Sequence, residues 1–147
     1  MTTSVLYVCL GNICRSPTAE GILRKLAGDR DLIIDSAGTG AWHVGDPPDP
    51  RAIAEARQRG IDISGLRARQ VQAEDFHRFD QILAMDRSNL RALERIRPSG
   101  SKADLRLCLS DALGLDQMDV PDPYYDGGFE RAYELIEAAA KGLLQRI

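Results

Sequence analysis

The sequence predicts an α/β fold in which a mostly parallel sheet carries helices on both faces. Short apolar runs typical of buried strands alternate along the chain with longer segments of helical periodicity. The length of 147 residues suits one core, so we expect a single domain over residues 1–147. Ligands bind beyond the carboxyl ends of the strands in such sheets, which directs attention to the loops that follow them.

The first strand and helix carry the clearest signals. Residues 3–8 form a β-branched and aromatic run that stops at Gly11-Asn12, as a buried parallel strand does. Ser16 and Pro17 then offer an N-cap and a first-turn proline for a helix. The remaining predicted elements are a strand over 32–36, a helix from Pro50 to about Arg59, a strand over 81–85, a helix starting at 86–88, a strand over 105–109 and a final helix with an apolar stripe from Phe129 to Leu144.

Composition excludes several classes of protein. The 19 Lys and Arg against 22 Asp and Glu leave a net charge of −3, which lacks the basic excess that nucleic-acid binding requires. The longest apolar stretch near the start is too short to span a bilayer, so we expect no membrane insertion and a cytoplasmic location. Three cysteines do not form a secreted disulfide framework, and a reducing compartment keeps them as thiols.

The loop after the first strand predicts an anion site. Cys9 lies at the end of the strand, Arg15 follows six positions later, and a helix begins directly behind both. Backbone N–H groups of a short strand-to-helix loop, the helix N-terminus and a guanidinium fork together bind a phosphate. The same field favours the thiolate form of Cys9. Taken alone, Cys9 is better explained as a buried cysteine at a strand end and Arg15 as a surface residue of a helix. The combined pattern C-x5-R-S between a strand and a helix instead favours a phosphate site.

Other phosphate and metal motifs do not occur. The chain has no Gly-Lys-Ser/Thr for a P-loop, and Gly38-Thr39-Gly40 is followed by His43 where a dinucleotide fingerprint needs glycine. His43 and His77 have no cysteine or carboxylate at metal-ligand spacing, so we interpret them as ordinary surface groups. We expect no metal and no cofactor.

The sequence resembles the low-molecular-weight protein tyrosine phosphatases over nearly its whole length. The resemblance implies a four-stranded parallel sheet of flavodoxin-like arrangement and hydrolysis of phosphotyrosine through a cysteinyl-phosphate intermediate, with Cys9 as nucleophile and Arg15 on the phosphoryl group. The segments that carry the resemblance are residues 9–20 (CLGNICRSPTAE), 35–39 (DSAGT), 45–48 (GDPP), 68–70 (ARQ), 86–90 (DRSNL) and 120–125 (VPDPYY).

Asp122 is the candidate general acid, which the departing phenolate requires. Composition does not separate it from Asp119 and Asp126 in the same segment, but Asp122 matches the acid of the family's Asp-Pro-Tyr-Tyr motif. The other two are interpreted as solvated turn residues.

Further residues receive supporting roles, of which those of Asn12 and Ser36 are implied by the resemblance and those of Ser16 and Cys14 follow from their positions in the loop. Asn12 and Ser36 join a network that shapes the loop, and Ser16 either donates to the Cys9 thiolate or caps the helix, or both. Cys14, five residues after the nucleophile, is the candidate redox partner that condenses with an oxidised Cys9. The residues expected to surround the phosphate and the substrate ring are Leu10, Gly11, Asn12, Ile13, Cys14, Ser16, Trp42, Tyr124 and Tyr125.

Charged residues elsewhere receive two interpretations. Arg91, Glu94 and Arg95 are a solvated helix face with paired charges. Arg67 and Arg69 are candidates for attracting an acidic phosphopeptide.

Three alternative functions stay open beside the phosphotyrosine phosphatase. An arsenate reductase needs two further cysteines in a distal segment, where this chain offers only Cys108. A phosphoarginine phosphatase carries threonine where this chain has Ile13. A silent phosphate-binding module needs neither a nucleophile nor an acid. The expected partners are a tyrosine-phosphorylated protein and a tyrosine kinase, with the enzyme acting as a monomer or weak dimer.

Overall fold

The computed structural model describes residues 2–147 and has one four-stranded parallel sheet, which confirms the predicted fold. The strand order is β2-β1-β3-β4, so the first strand lies in the interior of the sheet. The strands are β1 (Thr3–Cys9), β2 (Leu32–Gly38), β3 (Gln81–Ala84) and β4 (Asp104–Leu107). The helices are α1 (Arg15–Ala27), α2 (Pro50–Gln58), α3 (Asp75–Arg78), α4 (Arg87–Ile96), α5 (Pro123–Asp126) and α6 (Phe129–Arg146).

Strand β1 is buried on both faces because its side chains alternate between two cores. Val5 and Tyr7 pack with α1, α2 and α6 on one face of the sheet. Leu6 and Val8 pack with the region of α3 and α4 on the other. The continuous apolar run that predicted this strand is what burial on both faces requires. Cys9 at its carboxyl end points to the α1 face.

The structure corrects several predicted element boundaries. Helix α1 begins at Arg15 with Cys14 at the N-cap, so Ser16 lies inside the first turn and does not cap it. Strand β4 ends at Leu107, and the chain continues as a 3₁₀ turn over Cys108–Asp111. The one-turn helices α3 and α5 were not predicted, since four residues carry too little periodicity to indicate a helix.

No helix within residues 2–147 is long and apolar enough to cross a bilayer.

Candidate active site

The loop from Cys9 to Ser16 connects the interior strand to α1 and folds back over the end of β2. Asn12 has a φ of 58°, in the left-handed region that asparagine tolerates better than most residues. Gly38 permits the close approach of β2, because a Cβ there would lie 2.8 Å from the backbone oxygen of Leu10. This tight turn brings the Asn12 amide back toward Cys9.

The Cys9 thiol receives two polar contacts at the bottom of this loop. The backbone N–H of Asn12 donates to Cys9 Sγ at 3.3 Å, and Ser16 Oγ lies 3.0 Å from the sulfur. Asn12 Nδ2 donates to Ser16 Oγ at 2.7 Å, which leaves the Ser16 hydroxyl hydrogen available for the sulfur. The contact with the sulfur occupies the Ser16 hydroxyl, which explains why the Ser16 side chain does not cap the helix.

A buried network extends from Asn12 to parts of the chain distant in sequence. Asn12 Nδ2 also donates to Ser36 Oγ at 3.0 Å, and Ser36 Oγ donates to Glu20 Oε1 at 2.7 Å. Asn12 Oδ1 accepts from the backbone N–H of Arg69 at 3.0 Å. Sequence reasoning missed these contacts of Glu20 and Arg69, because nothing in the spacing of either residue indicates that it contacts the loop.

Arg15 is 2% exposed and is fixed by contacts from two other segments. Its Nη1 donates to Asp86 Oδ2 and to the carbonyl oxygen of Val120, both at 2.8 Å. Asp86 is also the N-cap of α4, where it accepts from the Asn89 N–H. Burial opposes the charged form, but Cys9, Asp86 and Asp122 outweigh it and raise the pKa of Arg15 above its usual value.

Asp122 faces Arg15 from the opposite side of the loop. Its Oδ2 lies 3.5 Å from Arg15 Nη2, and its Oδ1 accepts from the Tyr124 N–H at 3.1 Å as the N-cap of α5. One carboxylate oxygen therefore holds the backbone, while the other is directed toward the guanidinium.

Asp119 is not the solvated turn residue that the sequence suggested. The backbone and guanidinium nitrogens of Arg87 donate to its two oxygens at 2.9–3.3 Å. Burial tends to raise the pKa of Asp119, but the Arg87 hydrogen bonds outweigh burial and lower it. Asp126, by contrast, is exposed and accepts only from the Gly128 N–H at 2.9 Å, as a turn residue does.

Cys9, Arg15 and Asp122 line one cavity of about 370 Å³. Asn12, Ser16 and Ser36 do not line it, and their side chains contact one another and Cys9 behind the loop. His43 does line it, which corrects its interpretation as an ordinary surface group. The lining residues are Cys9, Leu10, Gly11, Ile13, Cys14, Arg15, Trp42, His43, Asp122, Tyr124 and Tyr125.

Aromatic side chains form the mouth of this cavity, which we define as Trp42, Tyr124 and Tyr125. Trp42 is 73% exposed and Tyr125 is 76% exposed. Trp42 lies over Gly40, where a Cβ would fall 1.8 Å from the indole ring. The rings of Tyr124 and Tyr125 meet edge to face with centroids 5.2 Å apart.

Cys14 lines the same cavity but packs against Ile13, Ala68 and Phe129. Burial raises the pKa of the Cys14 thiol well above its usual range, and the nearby Asp49 carboxylate raises it further. Cys14 is therefore a neutral thiol at physiological pH.

One part of each interpretation of the charged residues is wrong. Arg69 is held by Asp35 at 3.0 Å and by the buried Asp75 at 3.0 Å, so it is engaged within the fold. Arg91 and Arg95 make no ion pair with any carboxylate of residues 2–147, so the α4 face does not carry the paired charges expected of it.

The fold and the loop define a class of enzyme, the cysteine-dependent phosphatases with a parallel α/β fold. A thiol and an arginine meet in an anion-sized loop at the carboxyl end of an interior strand, with a carboxylic acid facing them. Nowhere between residues 2 and 147 do three His, Cys, Asp or Glu side chains come together in a metal-binding arrangement.

Comparison with known proteins identifies the family. The family model described as low molecular weight phosphotyrosine protein phosphatase matches residues 4–147. The chain belongs to this family and is a protein-tyrosine phosphatase, a hydrolase.

Relatives match along their full length. The low molecular weight protein-tyrosine-phosphatase YfkJ of Bacillus subtilis is 43% identical over 98% of this chain and 95% of its own, and its crystal structure superposes with a TM-score of 0.94. The human low molecular weight phosphotyrosine protein phosphatase is 41% identical over 99% of this chain and 96% of its own. A Drosophila arginine phosphatase structure is 36% identical over 97% of this chain and 96% of its own, with a TM-score of 0.91.

Proposed function

We propose that this phosphatase hydrolyses phosphotyrosine in two steps, with Cys9 as nucleophile, Arg15 on the phosphoryl oxygens and Asp122 as acid and then base. In the first step the Cys9 thiolate attacks phosphorus, the S–P bond forms, the P–O bond to the phenol breaks, and Asp122 gives its proton to the leaving oxygen. In the second step Asp122 takes a proton from water, water oxygen bonds to phosphorus, and the S–P bond breaks to release phosphate and the thiolate.

One observation carries this proposal: Cys9, Arg15 and Asp122 line a single cavity, with Arg15 within 3.5 Å of Asp122. The guanidinium is fixed by Asp86 and the Val120 carbonyl before substrate arrives, so it need not reorganise when charge spreads over the phosphoryl oxygens. The aromatic mouth supports an aryl substrate, because its rings stack on a phenyl group more favourably than on a short alkyl phosphate.

A leaving-group series tests the role of Asp122. We expect Asp122→Asn to lower kcat by about 100-fold on phenyl phosphates of high leaving-group pKa, a usual contribution of general acid catalysis. The loss should shrink as the phenol becomes more acidic, since such a phenolate leaves without a proton. Asp126→Asn, in the same segment and exposed, is the matched control and should leave the series unchanged. An equal loss across the series would contradict the assignment.

The alternative substrate class is tested in parallel. Phosphotyrosine, phosphoarginine and phosphoserine peptides of one sequence are assayed for phosphate release. Ile13 presents an apolar side chain to the cavity, which favours an aromatic ring over a guanidinium. Faster release from phosphoarginine would reassign the substrate while leaving the cysteine chemistry in place.

We also propose that Cys14 protects Cys9 from irreversible oxidation. Peroxide oxidises the Cys9 thiolate to a sulfenic acid and is itself reduced to hydroxide. Cys14 then loses its proton and attacks that sulfur as a thiolate, so that the S–S bond forms, the S–O bond breaks, and the departing hydroxide takes up the proton to leave as water. Both sulfurs belong to residues that line the same cavity, which supports this pairing.

The raised pKa of Cys14 gives this step a pH dependence. Only the thiolate attacks, so the rate of disulfide formation should keep rising as pH increases through the neutral range. Peptide mapping after brief peroxide exposure at several pH values measures it. Cys14→Ser should keep its activity yet recover poorly with thiol reductant. Full recovery of that variant would remove Cys14 from a protective role.

Three cysteines are too few for a secreted disulfide framework, which favours a reducing location such as the cytoplasm. There the substrates would be tyrosine-phosphorylated proteins, a tyrosine kinase among them, and the enzyme would act as a monomer or weak dimer. Sedimentation of the purified chain tests the last point.

A further inference from the structure

A second cleft adjoins the catalytic cavity on the other side of Asp122. It has a volume of about 380 Å³ and lies between the start of α4 and the segment that carries Asp122. Asp122 belongs to both cavities, so a group bound in the second cleft lies beside a substrate bound in the first. The residues lining the cleft are Asp86, Arg87, Ser88, Arg91, Asp119, Val120, Pro121 and Asp122.

Most charges in this cleft are already matched. Asp86 is paired with Arg15 at 2.8 Å, and Asp119 is paired with Arg87 at 3.1 Å. The first-turn N–H groups of Arg87 and Asn89 donate to those same carboxylates, so the helix terminus itself offers little to a ligand. Arg91 is the exception, because it lines the cleft, is exposed, and makes no ion pair within residues 2–147.

Arg91 is part of a basic ridge on α4. Arg87, Arg91 and Arg95 are spaced four residues apart, which places them on one side of the helix. The exposed Glu94 lies on the same side, so the ridge carries three positive charges and one negative charge. Helical side chains lean toward the N-terminus, so Arg91 leans toward the cleft and Arg95 follows it one turn behind. Such a ridge contrasts with the chain's net charge of −3.

We propose that Arg91, supported by Arg95, binds an acidic group that flanks the phosphotyrosine of the protein substrate. The inference rests on the phosphotyrosine phosphatase function proposed above and adds a preference among its substrates. The group is a carboxylate side chain or a second phosphate, since either pairs with a guanidinium. Arg91 is chosen over Arg87 because Asp119 already occupies the Arg87 guanidinium.

The test compares three phosphotyrosine peptides that differ at one flanking position, scanned up to about four residues on either side of the tyrosine. One peptide carries glutamine at that position, one carries glutamate and one carries phosphoserine. We expect the wild-type enzyme to favour the acidic peptides about threefold to tenfold in kcat/KM at some position. This is the effect that one or a few exposed ion pairs have on binding. That preference should fall as salt is added.

The variants localise the effect. Arg91→Gln should remove most of the preference and Arg91→Glu should reverse it, while glutamine peptides and a small aryl phosphate should be hydrolysed at nearly unchanged rates. Lys102→Glu is the matched control, because this exposed lysine precedes β4 and lies at the edge of the sheet opposite the active site. It should keep the preference.

Three outcomes would overturn the proposal: no acidic preference at any scanned position, an Arg91→Glu loss that is equal on acidic and neutral peptides, or the same loss of preference in Lys102→Glu. A larger gain for glutamate identifies a carboxylate as the bound group, and a larger gain for phosphoserine identifies a phosphate. Failure of the proposed function is distinguishable, since the wild-type enzyme would then release no phosphate from any peptide while still cleaving the aryl phosphate.

Discussion

The bottom and the mouth of the active site are built in opposite ways. At the bottom, Cys9, Asn12 and Ser16 are almost wholly buried, and their polar atoms contact one another and Ser36. At the mouth, Trp42 and Tyr125 are largely exposed, the Trp42 ring lies over Gly40, and the Tyr125 ring meets that of Tyr124 edge to face.

This difference indicates which kinetic parameter, kcat or KM, a substitution at the bottom or at the mouth should change. A buried polar group that loses its partner costs about 1–3 kcal/mol, so a change at the bottom disturbs the loop and the thiol whatever the substrate. An exposed ring contributes only its contact with the substrate. Bottom variants should therefore lower kcat on all substrates, whereas mouth variants should raise KM for some of them.

The largest effect should come from Cys9→Ser. A serine hydroxyl has a far higher pKa than a thiol and is a much weaker nucleophile, so turnover should fall by more than about a thousandfold. The melting temperature and weak phosphate binding should persist, as measured by thermal unfolding and calorimetry. Turnover within about tenfold of wild type would show that Cys9 is not the nucleophile.

Asn12→Gly should have the next largest effect on activity, and it tests the buried network alone. Glycine tolerates the φ of 58°, so the variant removes the amide without adding backbone strain. We expect kcat to fall about tenfold to 100-fold on every substrate, because Ser16 and Ser36 lose their common donor. A rise in KM with normal kcat would mean that the network does not act through the thiol.

Asp119→Ala tests whether the Arg87 contact positions the Asp122 segment. Asp119 lies three residues before the acid, so its loss should lower kcat about threefold to tenfold, and less for good leaving groups. Arg87→Ala should give the same pattern, and the double variant should be no worse than either single one. Additive losses, or losses independent of the leaving group, would assign the pair a structural role only.

The smallest effect should come from Trp42→Ala. We expect KM for aryl phosphates to rise about threefold with kcat unchanged, since only a stacking contact is lost. Gly40→Ala is a second test of the position of the indole ring, because the added methyl group displaces the ring without removing it. If Trp42→Ala instead lowers kcat on every substrate, the separation between mouth and bottom does not hold.

The sequence predicted what depends on local spacing. The apolar run of β1, the Cys9 to Arg15 spacing and the Asp122 motif all lie within short segments, and the family resemblance covered the rest of the sheet. The N-cap assignment of Ser16 failed because its hydroxyl is bound by Cys9 and Asn12 instead. Side-chain hydrogen bonds within the loop therefore override the capping preference of serine at this position.

Long-range pairing explains the other differences. Arg69 was interpreted as free to attract substrate, but its partner Asp35 lies 34 residues away in sequence and becomes adjacent only after folding. The interpretation of Asp119 failed for the same reason, since Arg87 is 32 residues away. His43 gave no signal, because only the path of the loop after β2 brings it beside the cavity.

The interior position of β1 determines how readily its backbone hydrogen bonds break as the protein unfolds locally or globally. β1 is hydrogen-bonded to β2 on one side and to β3 on the other, whereas β2 and β4 lie at the edges of the sheet. Amide protons of Val5 to Val8 should therefore exchange with deuterium only through global unfolding, while those of the edge strands exchange through local fraying. The strand that ends in Cys9 is thus among the last parts of the molecule to open.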